Sequence, residues 1–146
     1  IPITNTKGVS SKHLIKDLAK QKIKCNVTAI FTQTQVREIL DFVDKSDDLI
    51  LSVFAGRIAD TGVDPIPLVK DIVEMANEAP NIKILWASTR EVLNVHHAKQ
   101  SGCDIITMTP DLIKKMRNIN KDLTIFSRET VKMFFEDANE SGYVIN

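Results

Sequence analysis

Short apolar runs alternate with longer segments of amphipathic spacing, and that alternation predicts strands and helices in turn. Ile1 to Thr4 reads as the end of a strand, and Ser10 and Ser11 then offer N-caps to a helix with Leu14, Ile15 and Leu18 on one side. Lys24 to Phe31 is rich in β-branched residues and predicts a strand. After it, Val36, Ile39, Leu40 and Val43 recur at i, i+3, i+4 and i+7, the stripe of a helix. Leu49 to Phe54 predicts the next strand, and Gly56 to Pro67, with two prolines, a loop. Helical spacing returns at Leu68, Ile72 and Met75; Ile82 to Ala87 follows as a strand and Glu91 to Gln100 as a helix. Gly102 occupies a C-cap position ahead of a strand over Asp104 to Met108, and Pro110 an N1 position at the next helix. Beyond Asp122 the alternation stops, and Ser127 is expected to cap a last helix carrying Val131, Phe134 and Phe135.

One strand tail and four full strands, each followed by a helix, imply an α/β fold with a parallel sheet covered by helices. No linker or low-complexity tract divides residues 1–146, so a single domain is expected. An open doubly wound sheet and a TIM (β/α)8 barrel both fit this rhythm. The glycine-rich GxGxxG turn of many doubly wound folds is missing. A closed barrel takes roughly 200 residues or more, and this chain has 146. The sequence also opens on Ile1 rather than Met, which leads us to expect that earlier strands lie upstream.

Composition narrows the function classes. Lys and Arg number 19 against 19 Asp and Glu, so no basic field favours nucleic acid, and any anion site must be local. No apolar run approaches the ~18 residues of a membrane span. Cys25 and Cys103 lack metal-ligand spacing and no secretory segment precedes them, which fits a reducing, cytoplasmic setting.

In parallel α/β folds, chemistry gathers at the carboxyl ends of the strands. Asn26 and Thr28 lie two apart on the first full strand and so share a face. Ser52 lies in the second strand, with Arg57 in the loop after it, and Ser88 and Arg90 follow the third. Each taken singly is ordinary: an Arg after a strand is usually a surface residue, and a Ser within one a hydrogen-bonded filler. Asn inside a strand is less so, because its amide must be satisfied when buried. Two arginines at neighbouring strand ends suit a phosphate. Other candidates carry less. His96 and His97 adjoin on a helix and are expected at the surface, with no metal role; Asp60 and Asp64 match no calcium loop; Trp86 is expected in the core.

The combination resembles a known family. Ser52-Val53-Phe54-Ala55-Gly56-Arg57-Ile58-Ala59-Asp60 is similar to the transaldolase signature S-x-F-x-G-R-[IL]-x-D. Asn26-Val27-Thr28 resembles that family's N-x-T, Ala87-Ser88-Thr89-Arg90 its A-S-x-R, and Gly102-Cys103-Asp104 its G-[CA]-D. The order and intervals are family-like from Ile1 to about Met116. The resemblance implies a class I aldolase barrel, here from the end of about strand 4 through strand 8 plus a C-terminal helix. Such an enzyme carries a dihydroxyacetone unit from a ketose phosphate to an aldose phosphate on a lysine Schiff base, without metal or organic cofactor. The family pattern K-[IV]-P-x-T puts that lysine just ahead of Ile1. The family's acidic groups would lie upstream as well, in the earlier part of the same barrel.

By the same resemblance, Thr28 holds a catalytic water, Asn26 and Ser52 bond substrate hydroxyls, and Arg57, Arg90 and Ser88 bind the terminal phosphate. Phe54 stands where fructose-6-phosphate aldolases tend to carry Tyr; with Asn26 it favours transfer over cleavage. A fructose-6-phosphate aldolase-type lyase and a non-catalytic phosphosugar-binding fragment are the alternatives. The small members of the family commonly form rings, so homo-oligomers are expected, and the last helix, with Phe134 and Phe135, is expected to pack on its own barrel or on a neighbour.

Overall fold

The computed structural model describes residues 1–142. Two compact units divide the chain, the first over Ile1–Lys114 and the second from Lys115 onward. The first unit is built as β1 (Cys25–Ile30), β2 (Leu49–Val53), β3 (Ile82–Trp86) and β4 (Ile105–Ile106), all parallel and ordered β1-β2-β3-β4. Ahead of them, Ile1 to Ile3 extends the sheet on the far edge of β1. The Ile1 amino group donates to Asn26 O at 2.7 Å, Thr28 N to Ile1 O at 2.8 Å, and Ile3 N to Thr28 O at 2.9 Å. Pro2 pairs in parallel with Thr28. A doubly wound sheet reverses its strand order at a switch point. Here the spatial order follows the chain without reversal, as consecutive strands of a barrel do.

Cross-strand register sorts the side chains into two layers. Val27, Leu51 and Ile84 form one row and Val53 and Trp86 part of another, and these face α1 (Lys12–Lys20), α2 (Gln33–Leu40), α4 (Pro65–Ala76) and α5 (Asn94–Gln100) in one apolar cluster. Ile15, Val36, Ile39, Val69 and Ile72 reach that cluster from the helices with none of their surface left in water. Burying each contributes roughly 1.5–3 kcal/mol. The opposite face carries the row Asn26–Ile50–Lys83 and, one step on, Ser52–Leu85–Ile105.

One extra residue breaks the alternation of β1. The pairing moves from Val27↔Leu51 to Ile30↔Val53, and Ala29 takes φ +59°. This bulge returns Ile30 to the helix-facing layer, where it is fully buried, although it lies three residues after Val27.

Several elements differ from the sequence expectation. Gly56 to Pro67 is not all loop: α3 (Ala55–Ala59) forms one short helix, and α4 begins at Pro65. Proline at the helix start loses nothing, because its missing N–H has no partner there, and the Asp64 side chain accepts from Ile66 N at 3.0 Å. The Glu91–Gln100 helix starts only at Asn94, and the Asp104–Met108 strand shrinks to Ile105–Ile106. Leu14 points to water, and Ile15 and Ala19 carry the buried side of α1. The start of α2 is a capping box: Gln35 N donates to the Thr32 hydroxyl at 3.3 Å, and Thr32 N to Gln35 Oε1 at 3.1 Å. Lys12 of α1 bonds Glu38 of α2 at 2.9 Å and, by that bond first, holds its carboxyl below the ordinary glutamate range.

α6 (Pro110–Lys115) opens at Pro110 as the sequence predicts. The second unit contains a 3-10 turn, Met116–Asn118, and α7 (Leu123–Glu140). Asp122, not Ser127, is its N-cap, accepting from Ile125 N at 2.9 Å. Lys121 is bonded to Glu129, and Lys132 pairs with Glu136 one turn on. Leu123, Val131, Phe134 and Phe135 are exposed. No helix among the described residues is long and apolar enough to cross a membrane.

Candidate active site

The sheet face away from the helices carries the polar residues. Asn26 projects from β1, and the buried Ser52 hydroxyl of β2 donates to its Oδ1 at 2.6 Å. This bond spends one acceptor of the amide and leaves its two N–H donors free for other partners. Thr28 is half-buried on the same strand, its backbone held on both sides by Ile1 and Ile3. The bulge at Ala29 follows directly, so the end of β1 is bent where Thr28 stands.

Phe54 closes β2 and starts α3. Its ring lies 5.8 Å from that of Phe31, and the Arg57 guanidinium carbon sits 5.4 Å from its centroid. Arg57 is exposed, a cation laid against an aromatic face.

Between Arg57 and Arg90 stands Gly56, whose role is spatial. A Cβ there would fall 1.6 Å from the carbonyl oxygen of Ser88 and 3.3 Å from Cγ of Arg90. Gly56 N donates to Ala87 O at 3.3 Å, so α3 and the chain after β3 touch main chain to main chain. Ser88 itself takes φ +64°, in the left-handed region. Thr89 then donates its hydroxyl to Thr107 O at 2.5 Å, tying this segment to the one after β4. Ser88, Thr89, Arg90, Thr107, Met108 and Thr109 line a depression of about 280 Å³.

Arg90 is fixed at two points. Its backbone N–H donates to Oδ1 of Asn94 at 2.9 Å, and Glu91 N donates to the same oxygen at 3.2 Å. Its Nη2 donates to Oδ2 of Asp60 at 2.6 Å. Asn94 is buried, and its amide nitrogen lies 3.4 Å from Nδ1 of His97. His97, expected at the surface, is half-buried with its ring 6.2 Å from that of Trp86. Trp86 is fully buried, as expected of a core residue.

The structure thus joins Asn26 to Ser52, Phe54 to Arg57, and Ser88 and Arg90 in one depression. Asp60 and Asn94 stand beside Arg90; in the sequence Asp60 falls in the signature without an expected role at the site, and Asn94 is not singled out. Asp60 ends the Gly-Arg-x-x-Asp run, and an acidic residue three after an arginine signals an ion-pair partner. Asn94 gives no such signal, since a polar residue opening a helix is commonplace.

Comparison with known proteins settles the relationship. The family model described as "Transaldolase/Fructose-6-phosphate aldolase" matches residues 1–146. This chain belongs to that family. A protein named "Probable transaldolase" from Caldicellulosiruptor saccharolyticus is 35% identical over 118 residues, covering 80% of this chain and 51% of its own. One of the same name from Nitrosopumilus maritimus is 34% identical over 103 residues, 69% of this chain and 45% of its own. A third, from Bdellovibrio bacteriovorus, is 29% identical over 128 residues, 87% of this chain and 55% of its own. The chain therefore spans about half the length of the curated relatives it matches. Family membership gives the fold class as a TIM barrel, with which the unreversed parallel sheet is consistent.

Proposed function

We propose that this chain carries the substrate-holding part of a transaldolase-type transferase, one that moves a dihydroxyacetone unit from a ketose phosphate to an aldose phosphate. In this reading a lysine just ahead of Ile1 attacks the ketose carbonyl, water leaves, and an iminium forms. The bond beyond the adjacent carbinol carbon then breaks: its electrons pass to the iminium nitrogen and the hydroxyl proton to a base. The acceptor aldehyde reverses these steps with a new partner.

The observation that carries the reading is the ladder at the sheet edge. Ile3 is buried in the helix-facing layer, and Pro2 pairs with Thr28. Alternation puts a residue bonded to the Ile1 nitrogen on the face of Pro2, in register with Asn26. That is the face on which Ser52 and Asn26 are already bonded at 2.6 Å. A nucleophile there has hydroxyl-binding groups beside it, Thr28 one step along the strand for a water, and Arg57, Ser88 and Arg90 at the next strand ends for the phosphate.

The test is to treat the intact protein with fructose 6-phosphate and borohydride, then map the adduct by peptide mass spectrometry. The expected result is a reduced three-carbon adduct on the lysine preceding Ile1. Turnover without any lysine adduct would overturn the Schiff-base reading. Aldehyde release that needs no acceptor would instead assign the cleavage reaction of a fructose-6-phosphate aldolase.

A further inference from the structure

Arg90 is an exposed arginine in the lining of a depression of about 280 Å³, yet its guanidinium is already engaged. The main chain at Arg90 is locked by the buried Asn94, whose Oδ1 takes two successive backbone N–H groups at 2.9 and 3.2 Å. The side chain beyond it is long and, at 53% exposure, has water on much of its surface. An unpartnered arginine in that setting samples many rotamers and loses that freedom on binding. What fixes the head group is Asp60, through Nη2 to Oδ2 at 2.6 Å.

Asp60, whose side chain is as exposed as that of Arg90, is placed by its backbone. It follows α3, with its N–H on Gly56 O at 3.0 Å, and α3 touches the chain at Ala87 and Ser88 backbone to backbone. The carboxylate and the guanidinium are thus carried by two main-chain segments in direct backbone contact. One of five donors on a planar fork is used, and the rest keep a defined direction.

We propose that Asp60 is a positioning residue: it orients the Arg90 guanidinium toward a phosphate bound at the Ser88–Thr109 depression, and so sets affinity for the phosphorylated end of the substrate. This rests on the reading of Arg90 as a phosphate ligand given above.

Two roles for Asp60 have opposite signs. As a mere counter-ion it lowers the positive potential at the depression, so removing its charge strengthens anion binding. As a positioning group it pre-orders the fork, so removing its charge weakens anion binding although the local charge becomes more positive. Neutralisation by Asp60→Asn separates the two, because the amide keeps the shape and one acceptor oxygen but loses the anionic partner that holds the guanidinium as an ion pair.

The experiment uses the intact protein and reads two quantities. Inorganic phosphate binding is followed by 31P nuclear magnetic resonance titration, which needs no catalysis. KM and kcat are measured with D-glyceraldehyde 3-phosphate and, separately, with D-glyceraldehyde as acceptor. For Asp60→Asn we expect phosphate affinity to fall roughly three- to tenfold. The loss with the phosphorylated acceptor should lie in KM rather than kcat, and Asp60→Glu should recover part of it. Unchanged or tighter phosphate binding in Asp60→Asn, with the unfolding midpoint preserved, overturns the proposal. Because phosphate binding is read directly, a protein that forms no lysine adduct but still loses phosphate affinity in Asp60→Asn refutes the Schiff-base reading and leaves the role of Asp60 standing.

Discussion

Replacing Gly56 by alanine tests the central contact of the site. The new Cβ would lie 1.6 Å from the Ser88 carbonyl oxygen and 2.7 Å from its carbon. That is roughly 2 Å short of an ordinary van der Waals separation. Both contacting groups are main chain, so no rotamer change relieves them, and α3 must move away from the segment after β3. Overpacking costs about 1–3 kcal/mol, and a clash between two backbones belongs at the upper end. The Gly56 N to Ala87 O bond of 3.3 Å is lost in the same movement, a further cost of about 1 kcal/mol. Alanine in place of glycine in a helix returns about 1 kcal/mol, leaving a net loss of about 3 kcal/mol. Gly62 supplies the control. It has φ +82° but nothing within 4 Å of its would-be Cβ, so Gly62→Ala should cost only the torsional penalty of about 1 kcal/mol. Urea unfolding of the intact protein and both variants, followed by far-ultraviolet circular dichroism, compares them at a common slope. A Gly56→Ala midpoint equal to or above that of Gly62→Ala would refute the reasoning.

Ser52→Ala removes the donor that holds Asn26 Oδ1 at 2.6 Å, and about 0.5–1.5 kcal/mol of stability should go with it; a double-mutant cycle with Asn26→Ala that shows no coupling contradicts the bond. Under the proposed transferase activity, Phe54→Tyr should shift the balance from transfer toward cleavage, measured as aldehyde released with and without acceptor; an unmoved ratio removes the argument from Phe54. Burial pushes the Cys103 thiol up to about 12 from an ordinary 9.0, with Asp104 adding to the rise. Iodoacetamide at pH 8 should therefore alkylate it about a thousandfold more slowly than an ordinary thiol, and labelling at the ordinary rate refutes the burial. The linked stability is complete below pH 9.0 and is lost as pH rises toward about 12, because the unfolded chain releases this proton first.

The alternation of strand and helix was legible because strand residues facing the helices are apolar without exception from Leu49 to Val53 and Ile82 to Trp86. The four local motifs were legible too, since each is a short contiguous run: one spans the end of β2, one follows β3, one lies within β1 and one precedes β4. What the sequence hid were features set by distant neighbours. Period-two alternation would put Ile30 with Asn26 and Thr28, but the bulge at Ala29 returns it to the core, and nothing about alanine announces a left-handed residue. The α3 turn lay inside a stretch whose glycine and prolines read as loop. Its glycine answers to the Ser88 carbonyl, which is 32 positions away in the chain. The Asp60–Arg90 pair likewise joins residues 30 apart. Asp122 took the cap expected of Ser127 because helical spacing already begins at Leu123.

Gly56 and Ser88 face each other with their usual duties exchanged. The glycine is needed for lack of volume, while the left-handed torsion that glycine bears most easily falls on the serine. A serine there holds about 1–2 kcal/mol of torsional strain, which Thr89's bond to Thr107 and the backbone contact with Gly56 help to keep in place. Screening this chain for stability alone would therefore favour glycine at position 88, and it would select against a hydroxyl in the lining that Arg90 shares.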